Sequence, residues 1–395
     1  MNVARPSVTN AGLPELAPTR RASFVSSARN YSMLAAVVVV WIAFEYATNG
    51  VFLGPRNLSN LMRQMAVTGV LSVGMLMVIV IGEIDLSVGS LVGLTGMTAA
   101  LAQASHGWPL VPTLLAGLFL GVLIGAFQGT LVAYARVPSF IVTLGGLLAW
   151  RGVTKGISSG ATIPIQSERF TSIGQWYLDK PVGIVLVVLS IVALGISEWL
   201  KRRARKQLGL ATASGVRQVA NVVIPSLFAL MLVFVLNAYE GVPVPVVLFL
   251  VVALLGSFVM RNTVPGRYMY ATGGNREAAR LSGINTKTLT IGVFGVMGVL
   301  AGLAGIIYTA RVGSASPDAG LLLELDAIAA CVIGGASLMG GRGAVFGACL
   351  GALFMASLDN GMSLKNVPDF IQDIVKGGIL VTAVALDMLG RKRTT

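Results

Sequence analysis

Long apolar runs recur along the whole chain, and polar residues are confined to the short gaps between them. Many of these runs approach the length that crosses a bilayer core, which takes about 20 apolar residues as a helix. Hydrocarbon offers the backbone no partners, so only helices and closed barrels can cross it. The alternating ten-residue strands of a barrel are absent. Charged residues make up only 11% of the chain, against about 25% in soluble domains. The 48 glycines suit helices that approach closely inside a membrane. The expected fold is all-α, a polytopic membrane helix bundle of about twelve spans, with ten to fourteen allowed by boundary error.

The runs fall at 33–47, 61–81, 86–102, 110–133, 140–156, 182–200, 219–236, 242–260, 289–310, 325–339, 344–358 and 370–389. Residues 1–30 read as a polar, disordered cytoplasmic tail. Residues 31–390 read as one transmembrane domain with a polar loop at 265–287, and 391–395 as a second tail. The gaps set the orientation. The run KRRARK at 201–206 is the strongest signal, because basic loops stay in the cytoplasm. With both termini inside, Arg136, KRRARK, the loop 265–287 and the terminal RKR all fall on the cytoplasmic side. The loop 157–181 falls outside. This arrangement accounts for the net charge of +13 without nucleic acid.

The loop 265–287 carries a short capped helix. Arg276–Leu281 consists of good helix formers, Asn275 stands at the N-cap and Gly283 just past the C-terminus. A capped helix between apolar spans is a candidate docking element. The sequence IGxxxLxxG occurs at 81–89 and again at 333–341, each time where an apolar run breaks. Duplicated halves with interrupted helices would produce such an echo, as would chance recurrence among many glycines.

Few residues could carry chemistry. Glu83 and Asp85 sit between two apolar runs, where a carboxylate normally faces a cavity or a partner. The alternatives are a polar patch in a transport path and a surface turn, with Asp85 capping a helix that begins at Leu86. Gln64, Ser87, Gln128 and Asn360 are further candidates for a path, or for hydrogen bonds between helices. Glu324 and Asp326 read as charges at a helix N-terminus. His106 is the only histidine and lies in a turn. Cys331 and Cys349 read as packing residues. The chain has no GxxxxGK[ST], HExxH or CxxC. Neither catalysis nor a resident metal or cofactor is expected. Moving a solute is, with energy from an ion gradient or from a separate protein. A membrane scaffold without transport is the remaining class.

Four segments carry a resemblance. GEIDLSVGSLVGLTG at 82–96, VPSFIVTLG at 137–145, GGNREAARLSGI at 273–284 and VIGGASLMGGRGAVFGACLGAL at 332–353 resemble permease subunits of bacterial monosaccharide ABC importers of the ribose/xylose type. They occur in order over most of the chain. The resemblance implies an inner-membrane permease paired with a second copy. An ABC ATPase that binds ATP and magnesium would drive it, and a periplasmic sugar-binding protein would feed it. It also implies that Gly273, Gly274, Asn275, Arg276, Glu277, Ala278, Ala279, Arg280 and Gly283 form the ATPase-docking helix. The chain departs from the ribose type at Glu83, where that type has Gly, and at Gln128, where it has Asn. Its length and Glu83 resemble the xylose permeases more closely. The longer Glu-Ala-Ala pattern of other ABC importers is matched only in part, since the distal Ile-x-Leu-Pro is missing.

Overall fold

A computed structural model describes residues 20–209 and 215–391. In order these form α1 (Arg20–Ala47), α2 (Pro55–Val80), α3 (Val88–Ala104), α4 (Leu110–Tyr134), α5 (Ser139–Ile157), β1 (Ile163–Pro164), α6 (Glu168–Gln175), β2 (Tyr177–Leu178), α7 (Lys180–Gln207) and α8 (Gly215–Asn237). There follow β3 (Val242–Pro243), α9 (Val244–Asn262), α10 (Val264–Gly274), α11 (Arg276–Leu281), α12 (Thr286–Val312), β4 (Ser314–Ala315), α13 (Leu323–Ile333), α14 (Val345–Leu364) and α15 (Asp369–Arg391). Six of these helices, α2, α4, α7, α9, α12 and α14, are long and apolar enough to cross a membrane, and shorter apolar helical stretches lie at Met33–Ala47, Val88–Ala104 and Val222–Asn237.

The centre of the bundle is α2, buried almost throughout and packed by α9, α12, α13 and α14. On α7, at the periphery, Ile184, Val185 and Leu189 face outward. An apolar exterior is expected where the surrounding solvent is hydrocarbon. The helices α4 and α12 lie against each other along much of their length. A side chain at Gly121, Gly125 or Gly298 would run into the facing backbone. Small residues in register let two helices gain dispersion contacts where no hydrophobic drive exists between them.

Several boundaries differ from the sequence expectation. The first helix begins at Arg20, inside the stretch expected as tail, while the rest of that tail and residues 392–395 lie outside the described residues. The basic run 201–206 continues α7 instead of ending it, because Lys and Arg are good helix formers. The loop 157–181 contains α6 and two short strands. The tenth apolar run is helical only to Ile333, and 334–344 is irregular. There Gly340 has φ +87° and abuts Gly82 with φ +82°, a left-handed backbone that only glycine adopts cheaply.

Two small antiparallel ladders gather one end of the molecule. Ile163 pairs with Ala315 and Tyr177 with Pro243. At the opposite end lie α10, α11 and both breaks, 81–87 and 334–344, joined by the contacts described next.

Candidate functional site

The site is built on α10 and α11. Thr263 caps α10 by accepting from the Gly266 amide at 3.4 Å. Asn275 is extended, ends α10 and starts α11, and its Oδ1 accepts from the Ala278 amide at 3.0 Å. At the far end, Gly283 has φ +85°. Its amide donates to Arg280 O at 3.0 Å, and the Ile284 amide donates to Ala279 O at 3.1 Å. These two bonds make a Schellman cap. A six-residue helix is far below the length that is stable alone, so the caps and the docking below hold it. Glu277 and Arg280 pair on its surface at 2.7 Å. Leu281 is 78% exposed, an apolar side chain turned away from the bundle.

The inner face of this loop is bolted to both helix breaks. Arg276 Nη1 donates to Glu83 Oε1 at 2.5 Å, and its Nη2 donates to Thr290 Oγ1 on α12 at 3.0 Å. Glu83 is 8% exposed and Arg276 about half exposed. Gly273 lies so close to Val80 O and the Gly341 amide that no side chain fits. The Gly341 amide in turn donates to Val80 O at 2.9 Å. Tyr270 donates to Gly343 O at 2.8 Å. Burial pushes the Tyr270 hydroxyl up, partly offset by Arg261, so it stays a donor. The two segments that share IGxxxLxxG therefore touch each other and the same loop.

The remaining candidates separate into groups. Asp85 accepts from the Ser87 amide and hydroxyl at 2.8 and 2.7 Å, and Ser87 and Gln128 exchange hydrogen bonds near 3 Å. Asp85 thus steadies the start of α3, which begins at Val88 and not at Leu86. The break 84–87 is also held by α5, since Ser139 Oγ accepts from the Ile84 amide at 3.2 Å. Glu83 is not part of this group, because it faces Arg276. Asn360 pairs with Asn57 beside the start of α2, and Gln64 sits half-buried on α2. From the sequence these six are candidates for a path or for hydrogen bonds and caps that hold helices. The structure joins only Asp85, Ser87 and Gln128.

Sequence reasoning missed two features. Lys376 on α15 bridges Asp359 on α14 at 2.7 Å and Asp326 on α13 at 3.4 Å. A lysine inside the run 370–389 was the available signal. Arg151 lies near enough to Glu324 to act on it electrostatically, and nothing in their spacing reveals it. Cys331 is a buried free thiol donating to Ser72 O at 3.2 Å, and Cys349 is free as well.

Comparison with known proteins agrees with this architecture. The family described as "Branched-chain amino acid transport system / permease component" matches residues 57–384. The xylose transport system permease protein XylH of Escherichia coli K12 is 47% identical over 92% of this chain and 93% of its own length. XylH of Haemophilus influenzae is 47% identical over 92% of this chain and 97% of its own. The ribose import permease protein RbsC of E. coli K12 is 36% identical over 90% and 92%. No solved structure matches. These relatives are named as permease subunits, and with the family pattern spanning most of its length this chain belongs to that family of transport permease components and is not an enzyme.

Proposed function

We propose that the chain is the permease of an ATP-driven monosaccharide importer in the bacterial inner membrane, with xylose as the favoured cargo. A separate ABC ATPase binds ATP and magnesium and docks on α11. A periplasmic sugar-binding protein docks at the opposite end, on α6 and the loop 157–181. A second permease copy completes the core. Twelve membrane segments, counting the short α13, put both termini and α11 in the cytoplasm. The identity to xylose permeases over nine-tenths of the chain, 92%, supports the cargo class.

The observation that carries this reading is the ion pair between Arg276 on α11 and Glu83 at the α2–α3 break. A push on the outer face of α11, at Leu281 and Glu277, passes through Arg276 and Gly273 to two helix breaks at once. The first break ends in the Asp85–Ser87–Gln128 group at the start of α3, so motion at the docking helix reaches the bundle interior. The chain needs no nucleotide site of its own.

The test is uptake of radiolabelled xylose into proteoliposomes holding the permease with its ATPase and binding protein. Uptake is expected to require ATP. Reversing Glu83→Arg or Arg276→Glu alone should lower sugar imported per ATP hydrolysed, and combining them should recover part of it. Uptake indifferent to ATP, or no recovery in the double variant, counts against the coupling route. A second reading, an ion-coupled carrier, has one observation in its favour: the Asp326–Lys376–Asp359 cluster inside the bundle. It requires uptake by the permease alone that an ionophore abolishes.

A further inference from the structure

The outward face of α7 changes from apolar to aromatic to basic along its length. The helix packs chiefly on α8 and buries Gly183 and Val187. Its opposite face carries Val185, Val188, Val192 and Ile196, all exposed, then exposed Trp199. Arg202, Arg203 and Lys206 follow, exposed as well. Steps of three and four residues return to one side of a helix, so these residues form a single stripe. The helix has 28 residues, which makes it about 42 Å long at 1.5 Å per residue, against about 30 Å of hydrocarbon. Five of the six residues at 201–206 are basic, so its last turns stand in the headgroup layer. Trp199 marks the boundary, because an indole favours the membrane–water interface.

Two details turn these basic residues toward the membrane instead of open water. Side chains on a helix lean toward its N-terminus, and the N-terminal side of this run is the membrane side. Arg203 follows the rule, with its guanidinium carbon 5.5 Å from the centre of the Trp199 ring one turn back. Lys201, by contrast, sits off the stripe and is paired with Glu198 at 2.7 Å. Among the described residues, no carboxylate pairs with Arg202, Arg203 or Lys206.

We propose that this face of α7 holds an anionic phospholipid of the cytoplasmic leaflet. Its acyl chain lies along Val188, Val192 and Ile196, and its phosphate sits among Arg202, Arg203 and Lys206. The leaflet rests on the orientation proposed above, whereas the site depends on neither orientation nor cargo. Each basic residue at an anionic lipid surface adds about fivefold in affinity. The planar arginine fork can also give two hydrogen bonds to one phosphate. The apolar stripe adds contacts for an acyl chain that a soluble anion has no means to use. A lipid held this way fixes the depth of a helix whose protein contacts are chiefly with α8.

The test titrates purified full-length permease in neutral detergent micelles with dioleoyl phosphatidylglycerol or dioleoyl phosphatidylcholine. Bound lipid is counted by native mass spectrometry. Wild type is expected to prefer phosphatidylglycerol by at least tenfold. The triple variant Arg202→Gln, Arg203→Gln, Lys206→Gln should lose about a hundredfold in that affinity, three steps of about fivefold. Lys201→Gln, which removes a charge from the same run but off the stripe, should stay within about twofold. Glutamine is a good helix former, so both variants should melt as wild type does without lipid. Phosphatidylglycerol with brominated chains should quench tryptophan fluorescence, and Trp199→Phe should remove most of that quenching. Equal affinity of wild type for the two lipids overturns the site. So does a triple variant that binds phosphatidylglycerol as tightly as wild type, and if that variant also fails to assemble with its ATPase, the basic run docks a protein instead. A loss in Lys201→Gln as large as in Arg203→Gln alone reduces the effect to net charge and overturns the site too. Because micelles expose both ends of the protein and no sugar is present, none of these outcomes bears on the importer reading.

Discussion

Two neighbouring glycines in the docking loop have opposite environments. A side chain on Gly273 would collide with Val80 O and the Gly341 amide, which are backbone and cannot turn aside. A side chain on Gly274 would meet nothing within 4 Å. Gly273→Ala is therefore expected to separate the loop from the breaks and abolish coupled uptake. Gly274→Ala should leave uptake within about twofold, since it adds no overpacking. Equal uptake in the two variants would show that the wedge does not transmit. The pair Glu83–Arg276 works at the same scale. Removing one partner costs about 1–3 kcal/mol, below the figure for a fully buried pair because Arg276 is half in solvent. The sequence marks Asn275 and Gly283 as caps, because capping depends on a residue and its immediate neighbours. It does not pair Glu83 with Arg276, which are far apart in the chain and meet only through tertiary packing.

Elements extend the argument to helix pairs. The α4–α12 contact is glycine on backbone, so Gly125→Leu should force the helices apart and cost about 1–3 kcal/mol or more, by overpacking. Gly145→Leu faces open space and serves as the control. The measurement is the melting temperature of purified protein, and equal shifts in the two variants would argue against close packing at α4. The Asp326–Lys376–Asp359 bridge ties α13, α14 and α15 together. Lys376→Met leaves two carboxylates without their cation and is expected to destabilise by about 3–5 kcal/mol. Adding Asp326→Asn and Asp359→Asn should restore most of that loss. A Lys376→Met protein as stable as wild type would mean the bridge contributes nothing. Glycine content suggests close packing from the sequence, but which helices approach is a property of their arrangement.

At the scale of the whole molecule, the short ladders collect α6 and its neighbours at one end, while α10 and α11 meet the breaks at the other. The topology proposed above puts these ends on opposite sides of the bilayer. In a background lacking Cys331 and Cys349, a cysteine in place of Ser282 should react with a membrane-impermeant maleimide only from the cytoplasmic side. One in place of exposed Glu168 should react only from outside. Labelling of both from the same side would refute the orientation. The proposed orientation rests on the basic loops, because the cost of moving charge across a bilayer depends on composition.

The sequence by itself determined a helical membrane protein, where its long apolar helices fall, the caps of α11 and the basic loops. These follow from hydropathy, backbone capping and charge, which act over a few residues to one helix length. Only the tertiary structure decided that the two IGxxxLxxG segments touch. It alone joined Glu83 to the docking helix, linked Asp85, Ser87 and Gln128 by hydrogen bonds, and brought Arg151 near Glu324. These contacts join residues from different helices, and their positions follow from how glycine-lined faces pack and where α3 and α13 begin inside the bundle.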